Sequence, residues 1–376
     1  MITITDKHNC CGCAACVQAC PKHCISLEED EKGFRYPLVD KEICVKCGLC
    51  ETVCPVLHPG ETRKPLNVYA AINPNEEVRK ESSSGGIFTM LAESILDEGG
   101  VVFGARFNEQ WEVVHDYTET KEGLAPFRGS KYVQSRVGGT YQQTKDFLIQ
   151  GRKVMYTGTP CQIAGLRRFL GKEYDNLLTV DVVCHGVPSP LVWRDYLCSV
   201  TSNKIEQITS VKFREKSTGW KNFRLKIDGT EGNVLVNDSH KKNPFMQVFL
   251  KNFCLRPSCH TCPAKSGKSG SDLTIADFWG INDPDWDDDR GTSLVLVQTH
   301  QGQQSLDFCT IPKKQTSYEN AFCYNPSIEK NVAENKFTAL FWQQYHTDGL
   351  NNIKSLLNKT KPSIINRLYR KIRRLI

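Results

Sequence analysis

Six cysteines crowd residues 9–24, NCCGCAACVQACPKHC, and four more follow in CVKCGLCETVCP at residues 44–55. The first run reads Cys10-x2-Cys13-x2-Cys16-x3-Cys20-Pro21 and the second Cys44-x2-Cys47-x2-Cys50-x3-Cys54-Pro55. Three closely spaced thiolates wrap one iron–sulfur cubane in a tight loop, and the fourth, entering a helical turn, serves the other cluster. The spacing therefore predicts two [4Fe–4S] clusters, one on Cys10, Cys13, Cys16 and Cys54, the other on Cys44, Cys47, Cys50 and Cys20. Zinc sites favour two C-x2-C pairs, not two matched four-cysteine runs each closed by proline. Cys11 and Cys24 fall outside the pattern and read as packing residues.

A third constellation lies downstream, Cys254-x4-Cys259-x2-Cys262 in CLRPSCHTCP. Three thiolates need a fourth ligand to close a cubane. Cys184, ending the strand-like LLTVDVVC, is the first choice and Cys161 the second; zinc and a three-ligand site are the alternatives. Cys198, Cys309 and Cys323 are isolated thiols.

Cubanes pass single electrons, so a two-electron centre is expected beside them, and flavin converts between the two. Helix starts hold phosphate because their free N–H groups point outward. Two candidates are Ser82-Ser83-Ser84-Gly85-Gly86 and Gly158-Thr159-Pro160-Cys161-Gln162, although each also reads as a plain capping turn. No G-x-G-x-x-G follows a strand, which counts against a Rossmann-type site. Lys131 in RGSKYVQS is positioned to stabilise a reduced flavin anion or else lies on the surface. His185, beside Cys184, is a candidate proton donor or a structural histidine. The acidic DPDWDDDRGTS reads as a solvated loop, and Asp277 in IADFWG as the holder of a backbone turn.

The elements that must position these groups can be read coarsely. Residues 1–58 form an α+β ferredoxin module. Residues 59–67 belong to PVLHPGETRKPLN, rich in proline and charge, and read as a linker. Strand and helix signals then alternate: VYAAI, the helix after SSSGG with a glycine stop at Gly99–Gly100, VVFGARF, KVMYTG running into TPCQIAGLRRFLG, LLTVDVVC, SVKFRE, FRLKI, LTIADFWG and TSLVLVQT. This pattern predicts an α/β mixed-sheet domain in two parts, 68–150 and 151–325, with a seam near Gly151. Residues 326–376 are expected to form a helical basic tail. Its end, IINRLYRKIRRLI, places Ile365, Leu368, Ile372 and Leu375 on one side and five cations on the others, suiting a docked terminal helix or a membrane-surface or partner contact.

Among 376 residues the formal charge is +6, too modest to indicate nucleic acid, and twelve cysteines holding three clusters would cancel it. No secretory signal or membrane-length apolar run is recognisable, so a reducing cytoplasm is expected, where dense cysteine means metal or redox chemistry.

In order along the chain, SSSGG, RGSKYVQS, YTGTPCQIAGL, CHGVPSP, KFREKSTGW, C-x4-C-x2-C and DLTIADFWG resemble the coenzyme F-420 hydrogenase/dehydrogenase beta-subunit family over residues 68–299. The preceding module resembles the fused arrangement of some members. The resemblance implies an FAD-containing iron–sulfur flavoprotein. It implies a third [4Fe–4S] cluster on Cys184, Cys254, Cys259 and Cys262, and flavin contacts from Ser84, Gly85, Gly86, Lys131, Tyr132, Gly158, Thr159, Pro160 and Gln162. Members exchange electrons with the deazaflavin coenzyme, and relatives reduce other substrates, including a chlorophyll derivative. The expected function is electron exchange between clusters and FAD, with hydride transfer to an organic substrate. A redox partner protein or a small-molecule donor or acceptor would complete the circuit. The alternative is an electron-transfer subunit serving a larger dehydrogenase or hydrogenase.

Overall fold

A computed structural model describes residues 1–350 and 353–359. In the N-terminal module, both cysteine runs turn through left-handed backbone at Gly12, Ala14, Lys46 and Gly48. Such turns fold three thiols into one loop, and glycine takes them without a Cβ penalty. A short helix lies within each run, α1 (Ala15–Gln18) in the first and α2 (Leu49–Thr52) in the second. Between them the hairpin of β1 (Ile25–Glu29) and β2 (Arg35–Val39) pairs Ile25 with Val39 and Glu29 with Arg35.

The large domain begins with β3 (Asn67–Ala71), α3 (Glu76–Glu81), α4 (Ile87–Asp97), β4 (Val101–Phe107) and β5 (Val113–Thr118). It continues with α5 (Thr140–Ile149), β6 (Val154–Gly158), α6 (Pro160–Leu170), β7 (Leu177–Val182) and α7 (Pro190–Thr201). A three-stranded antiparallel insert follows, β8 (Ile208–Glu215), β9 (Arg224–Gly229) and β10 (Val234–Ser239), then α8 (Pro244–Leu250). The chain returns through β11 (Leu273–Asp277), β12 (Ser293–Val297), α9 (His300–Phe308), β13 (Lys313–Gln315) and α10 (Tyr318–Tyr324). Two further helices are α11 (Thr338–Asp348) and α12 (Ile353–Lys359).

One eight-stranded mixed sheet orders these strands β13-β3-β12-β11-β7-β6-β4-β5. Its centre, β11-β7-β6-β4, is parallel and its flanks antiparallel. Every residue of β12 is buried, as a strand covered on both faces requires. The sheet crosses residue 151 without interruption, because β6 enters parallel to β4 with Val101 opposite Val154. Gly151, at φ +79°, lies in the turn after α5.

The segment read as a linker is pinned to the domain. Arg63 N–H donates to the Ser266 carbonyl at 2.9 Å, Arg63 Nη2 to the Ser271 carbonyl at 3.1 Å, and Leu66 N–H to Val297 at 2.7 Å. A Cβ at Gly60 would stand 2.2 Å from the Lys268 carbonyl oxygen. The module is clamped as well. Gln18 Oε1 accepts from Tyr141 N at 3.0 Å, and Ser189 Oγ donates to the Lys32 carbonyl at 2.5 Å.

The described part of the expected tail is not an appendage. Phe341, Trp342, Tyr345, Ile353 and Leu356 join a core that also contains Trp193, Phe213, Phe245 and Phe253. The basic stretch IINRLYRKIRRLI lies outside the described residues. Among the described residues, no helix is long and apolar enough to cross a membrane.

Candidate iron–sulfur relay and cofactor cavity

Fourteen of the eighteen cysteines fall into three neighbourhoods, two in the module and one in the large domain. At the outer end of the module, Cys20, Cys44, Cys47 and Cys50 line one small cavity together with Cys24. Cys47 is exposed there, and Cys20 and Cys24 bring their Sγ atoms within 3.4 Å. Cys24 is thus a fifth thiol at this site and packs, as expected, in the buried cluster around it.

Deeper in the module, Cys16 feels Cys10 and Cys54 as neighbouring charges, and burial pushes its thiol up to about 12. Cys13 packs on the side facing the large domain, where a Cβ at Gly165 would meet its Sγ at 3.0 Å. Cys11 lies on the same side, near enough to the Cys161 thiol across the junction for each to shift the other's titration.

The third neighbourhood holds Cys161, Cys184, Cys259 and Cys262. Cys161 and Cys259 are both electrostatic neighbours of Cys184 and of Cys262. All four are partly accessible, so each borders a space. Cys254 stands apart. It is fully buried in the aromatic core, and its backbone carbonyl accepts from Ser189 N–H at 2.8 Å. Cys161 thus joins Cys184, Cys259 and Cys262, whereas Cys254, which the spacing grouped with Cys259 and Cys262, lies in the aromatic core. The reason is local: Cys254 follows α8 into the core, whereas Thr159 caps α6 and Pro160 opens it, setting Cys161 in its first turn.

Burial raises the thiols of Cys184, Cys259 and Cys262, the last two to about 12 and about 11. Neutral thiols this basic become thiolates only beside a strong local positive charge, which iron supplies. Among the described residues, no three His, Cys, Asp or Glu side chains converge at single-ion spacing.

A cavity of about 440 Å³ opens between the loops and the β8 face, within the roughly 300–1,000 Å³ common for cofactor sites. Lys80, Arg128, Lys131, Lys212, Arg214 and Lys216 are cations on its wall, and Phe107, Trp111 and Phe213 add aromatic surface. Lys131 Nζ donates to the carbonyls of Pro126, Arg128 and Gly129 at 2.8, 2.9 and 3.2 Å. Lys216 does the same across the cavity, to Arg79, Ser84 and Arg290 at 2.8, 2.9 and 2.8 Å. Burial draws both ammonium groups down to about 7, while the carbonyl dipoles favour the proton.

The other expected flavin contacts are distributed differently. Ser83 lines the cavity; Ser84, Gly85 and Gly86 do not. Ser84 Oγ donates to the Thr292 carbonyl at 2.8 Å and Gly85 N–H to Ser293 Oγ at 2.9 Å, hooking this loop onto β12. Gly158, Thr159, Pro160 and Gln162 belong to the capped start of α6. Gln162 Oε1 accepts from Thr159 N at 2.9 Å, and Thr159 Oγ1 lies 3.3 Å from Cys161 Sγ. Tyr132 packs on Phe249 and accepts from Arg214 Nη1 at 3.2 Å. His185 meets Phe249 edge-on and hydrogen-bonds Asn252 Oδ1 at 2.7 Å; burial lowers its pKa and keeps it neutral.

Residues passed over in the sequence connect these parts. Buried His115 bonds Ser135 Oγ at 2.5 Å and the Thr157 carbonyl at 3.0 Å, beside the start of α6, with its pKa drawn down by burial to about 4. Lys212 and Arg214, two apart on β8, both line the cavity, where the strand's pairing shifts register between Lys212 and Glu215.

The comparisons with known proteins agree with this anatomy. Residues 9–57 match a 4Fe-4S dicluster domain. Residues 68–140 and 151–315 match the N-terminal and C-terminal models of the coenzyme F420 hydrogenase/dehydrogenase beta subunit. An uncharacterized protein of Methanocaldococcus jannaschii is 21% identical over 88% of this chain and 93% of its own. The coenzyme F420-dependent sulfite reductase of the same organism is 23% identical over 90% of this chain, which spans about half (53%) of that protein. A subunit of the F420H2 dehydrogenase of Methanosarcina mazei is 22% identical over 79% of this chain and 81% of its own. A solved chain of the F420-reducing [NiFe] hydrogenase complex from Methanosarcina barkeri superposes with a TM-score of 0.49 at 19% identity, covering 77% of this chain and 95% of that one. With its two halves matched in order behind a dicluster module, this chain belongs to the coenzyme F420 hydrogenase/dehydrogenase beta-subunit family.

Proposed function

We propose that the chain is an iron–sulfur flavoprotein oxidoreductase. It would pass single electrons along three [4Fe–4S] clusters to FAD in the 440 Å³ cavity, for hydride exchange with an anionic organic substrate such as coenzyme F420. The observation that carries this reading is the succession of thiol groups through the module to the large domain, with Cys13 packed on Gly165 of α6 and Cys161 in the first turn of the same helix. Cys44, Cys47, Cys50 and Cys20 would hold the outer cluster, and Cys10, Cys13, Cys16 and Cys54 the inner one. Cys161, Cys184, Cys259 and Cys262 would hold the third.

A flavin, when bound, supplies the change from one-electron to two-electron transfer. The chain's part is to hold and insulate. Lys131 and Lys216 brace the cavity loops through six carbonyls, and the cationic wall favours a phosphate-bearing or carboxylate-bearing ligand. Lys131 lines the cavity, and its ammonium would face a reduced flavin anion. His185 lies in an aromatic layer with Phe249 and Tyr132.

Anaerobic purification tests the reading. Three cubanes require about twelve iron atoms per chain, together with stoichiometric flavin. Eight iron atoms would remove the third cluster, and lack of flavin would remove the enzyme. A second reading, an electron-transfer subunit of a larger enzyme, is favoured by the Methanosarcina mazei relative, which is named as a subunit of a dehydrogenase. Turnover of reduced F420 or a dye by the isolated chain decides between them.

A further inference from the structure

Three arginines are almost wholly sealed from solvent: Arg79, Arg214 and Arg256, at 2, 6 and 0% exposure. The first two carry carboxylate partners, Asp288 and Asp277, each at 2.7 Å. Arg256 differs. Its Nε donates to the Cys10 carbonyl at 2.7 Å, Nη1 to Gln134 Oε1 at 3.0 Å, and Nη2 to the Arg35 carbonyl at 2.9 Å and to Cys10 Sγ at 3.5 Å. The Tyr36 and Phe34 rings lie 4.3 and 5.5 Å from the guanidinium carbon. None of these acceptors is a carboxylate.

A buried cation without a counter-charge is costly, and a protein retains one where an anion faces it. The groups around Arg256 that can carry negative charge are the Cys10 and Cys11 thiols and the Tyr36 phenol on the module side and, on the domain side, Cys259, whose N–H donates to the Arg256 carbonyl at 2.9 Å. Gly12 keeps this approach open, because a Cβ there would stand 2.9 Å from Arg256 Nη1.

We propose that Arg256 is the counter-ion shared by the inner module cluster and the third cluster, raising the reduction potentials of both above that of the outer cluster. The inference rests on the thiol assignment proposed above. A fixed positive charge favours the state carrying one more electron. Arg256 therefore makes inward transfer from a reduced carrier protein downhill; one electron moves, no proton moves with it, and no bond forms or breaks. It is a positioning residue, acting through the Cys10 and Cys259 ligands.

The test is an anaerobic redox titration of the full chain followed by EPR, comparing wild type, Arg256→Met, Arg256→Lys and Gln134→Glu. In Arg256→Met two of the three midpoints should fall by at least tenfold in equilibrium constant, about 59 mV for one electron. The outer cluster should stay in place, and Arg256→Lys should recover most of the shift. If Arg256→Met fails to accumulate, Gln134→Glu decides. Its carboxylate replaces the amide that accepts from Nη1, neutralises the cation, and should move the same two midpoints downward. Clusters present with unmoved midpoints overturn the role of Arg256. A wild-type chain lacking iron overturns instead the reading of the thiols.

Discussion

The two ends of the ferredoxin module have matching cysteine spacing and opposite surroundings. At the outer end Cys47 is exposed and flanked by Ile43, Val45 and Leu49 at 51, 58 and 43% exposure. At the inner end Cys13 and Cys16 are buried and the Arg256 guanidinium closes over Cys10. Identical ligand chemistry thus faces water on one side and a sealed cationic junction on the other. Local dielectric, hydrogen bonds to sulfur and solvent access are the protein's means of setting cluster potentials. The difference teaches that the repeat supplies the clusters and the large domain supplies their inequality.

The largest effect should come from the domain side of the junction. Cys161→Ser is expected to lose about four iron atoms, one cubane, whereas Cys254→Ser keeps its iron and loses only about 1–3 kcal/mol from a hydroxyl placed in the apolar core. Iron and sulfide analysis alongside thermal melts separates the two, and equal iron loss in both would break the asymmetry drawn here. Next, an iron chelator or mild oxidant should strip the outer cluster on the order of tenfold faster than the inner one, following thiol exposure. Simultaneous decay of both EPR signals would show that the junction does not shelter the inner site.

A smaller effect concerns the sheet beneath the junction. Burial lifts the Asp181 carboxyl, at the end of β7, from 3.8 to about 6. Between those values the folded chain retains a proton that the unfolded chain has lost, so this group's contribution falls as pH rises and is fully lost above about 6. Asp181→Asn should therefore be more stable than wild type at pH 7.5, by at most about 3 kcal/mol, with the gain vanishing near pH 4. Chemical denaturation at the two pH values measures it. The smallest change is expected at the surface, where Arg194 pairs with Glu29 of the module. Arg194→Ala should cost about 0.2–1 kcal/mol and leave the iron content intact.

The residues explain why some of this was readable in sequence and some was not. Cys10 to Cys20 and Cys44 to Cys54 announce themselves because ligands of one cluster lie three residues apart on a single loop. The third set is assembled from β7, the start of α6 and the loop after α8, so spacing alone favoured Cys254, whose thiol enters the core instead. A usable signal was present: Thr159-Pro160-Cys161-Gln162 places a cysteine in the first turn of a capped helix, where thiolates are favoured. The central strands and helix stops were legible from apolar runs and glycines. The continuity of the sheet past Gly151 and the docking of α11 and α12 arise from long-range pairing that no local pattern encodes. Arg256 looked unremarkable because its meaning depends on Cys10, far away in the chain.

The pinning of residues 60–66 against residues 266–271 and Val297 has a mechanical consequence. A module fastened this way cannot serve as a swinging arm that ferries charge by diffusion. Its throughput should be indifferent to solvent viscosity and governed by fixed tunnelling distances, so lengthening this connector would gain no reach and would sacrifice alignment.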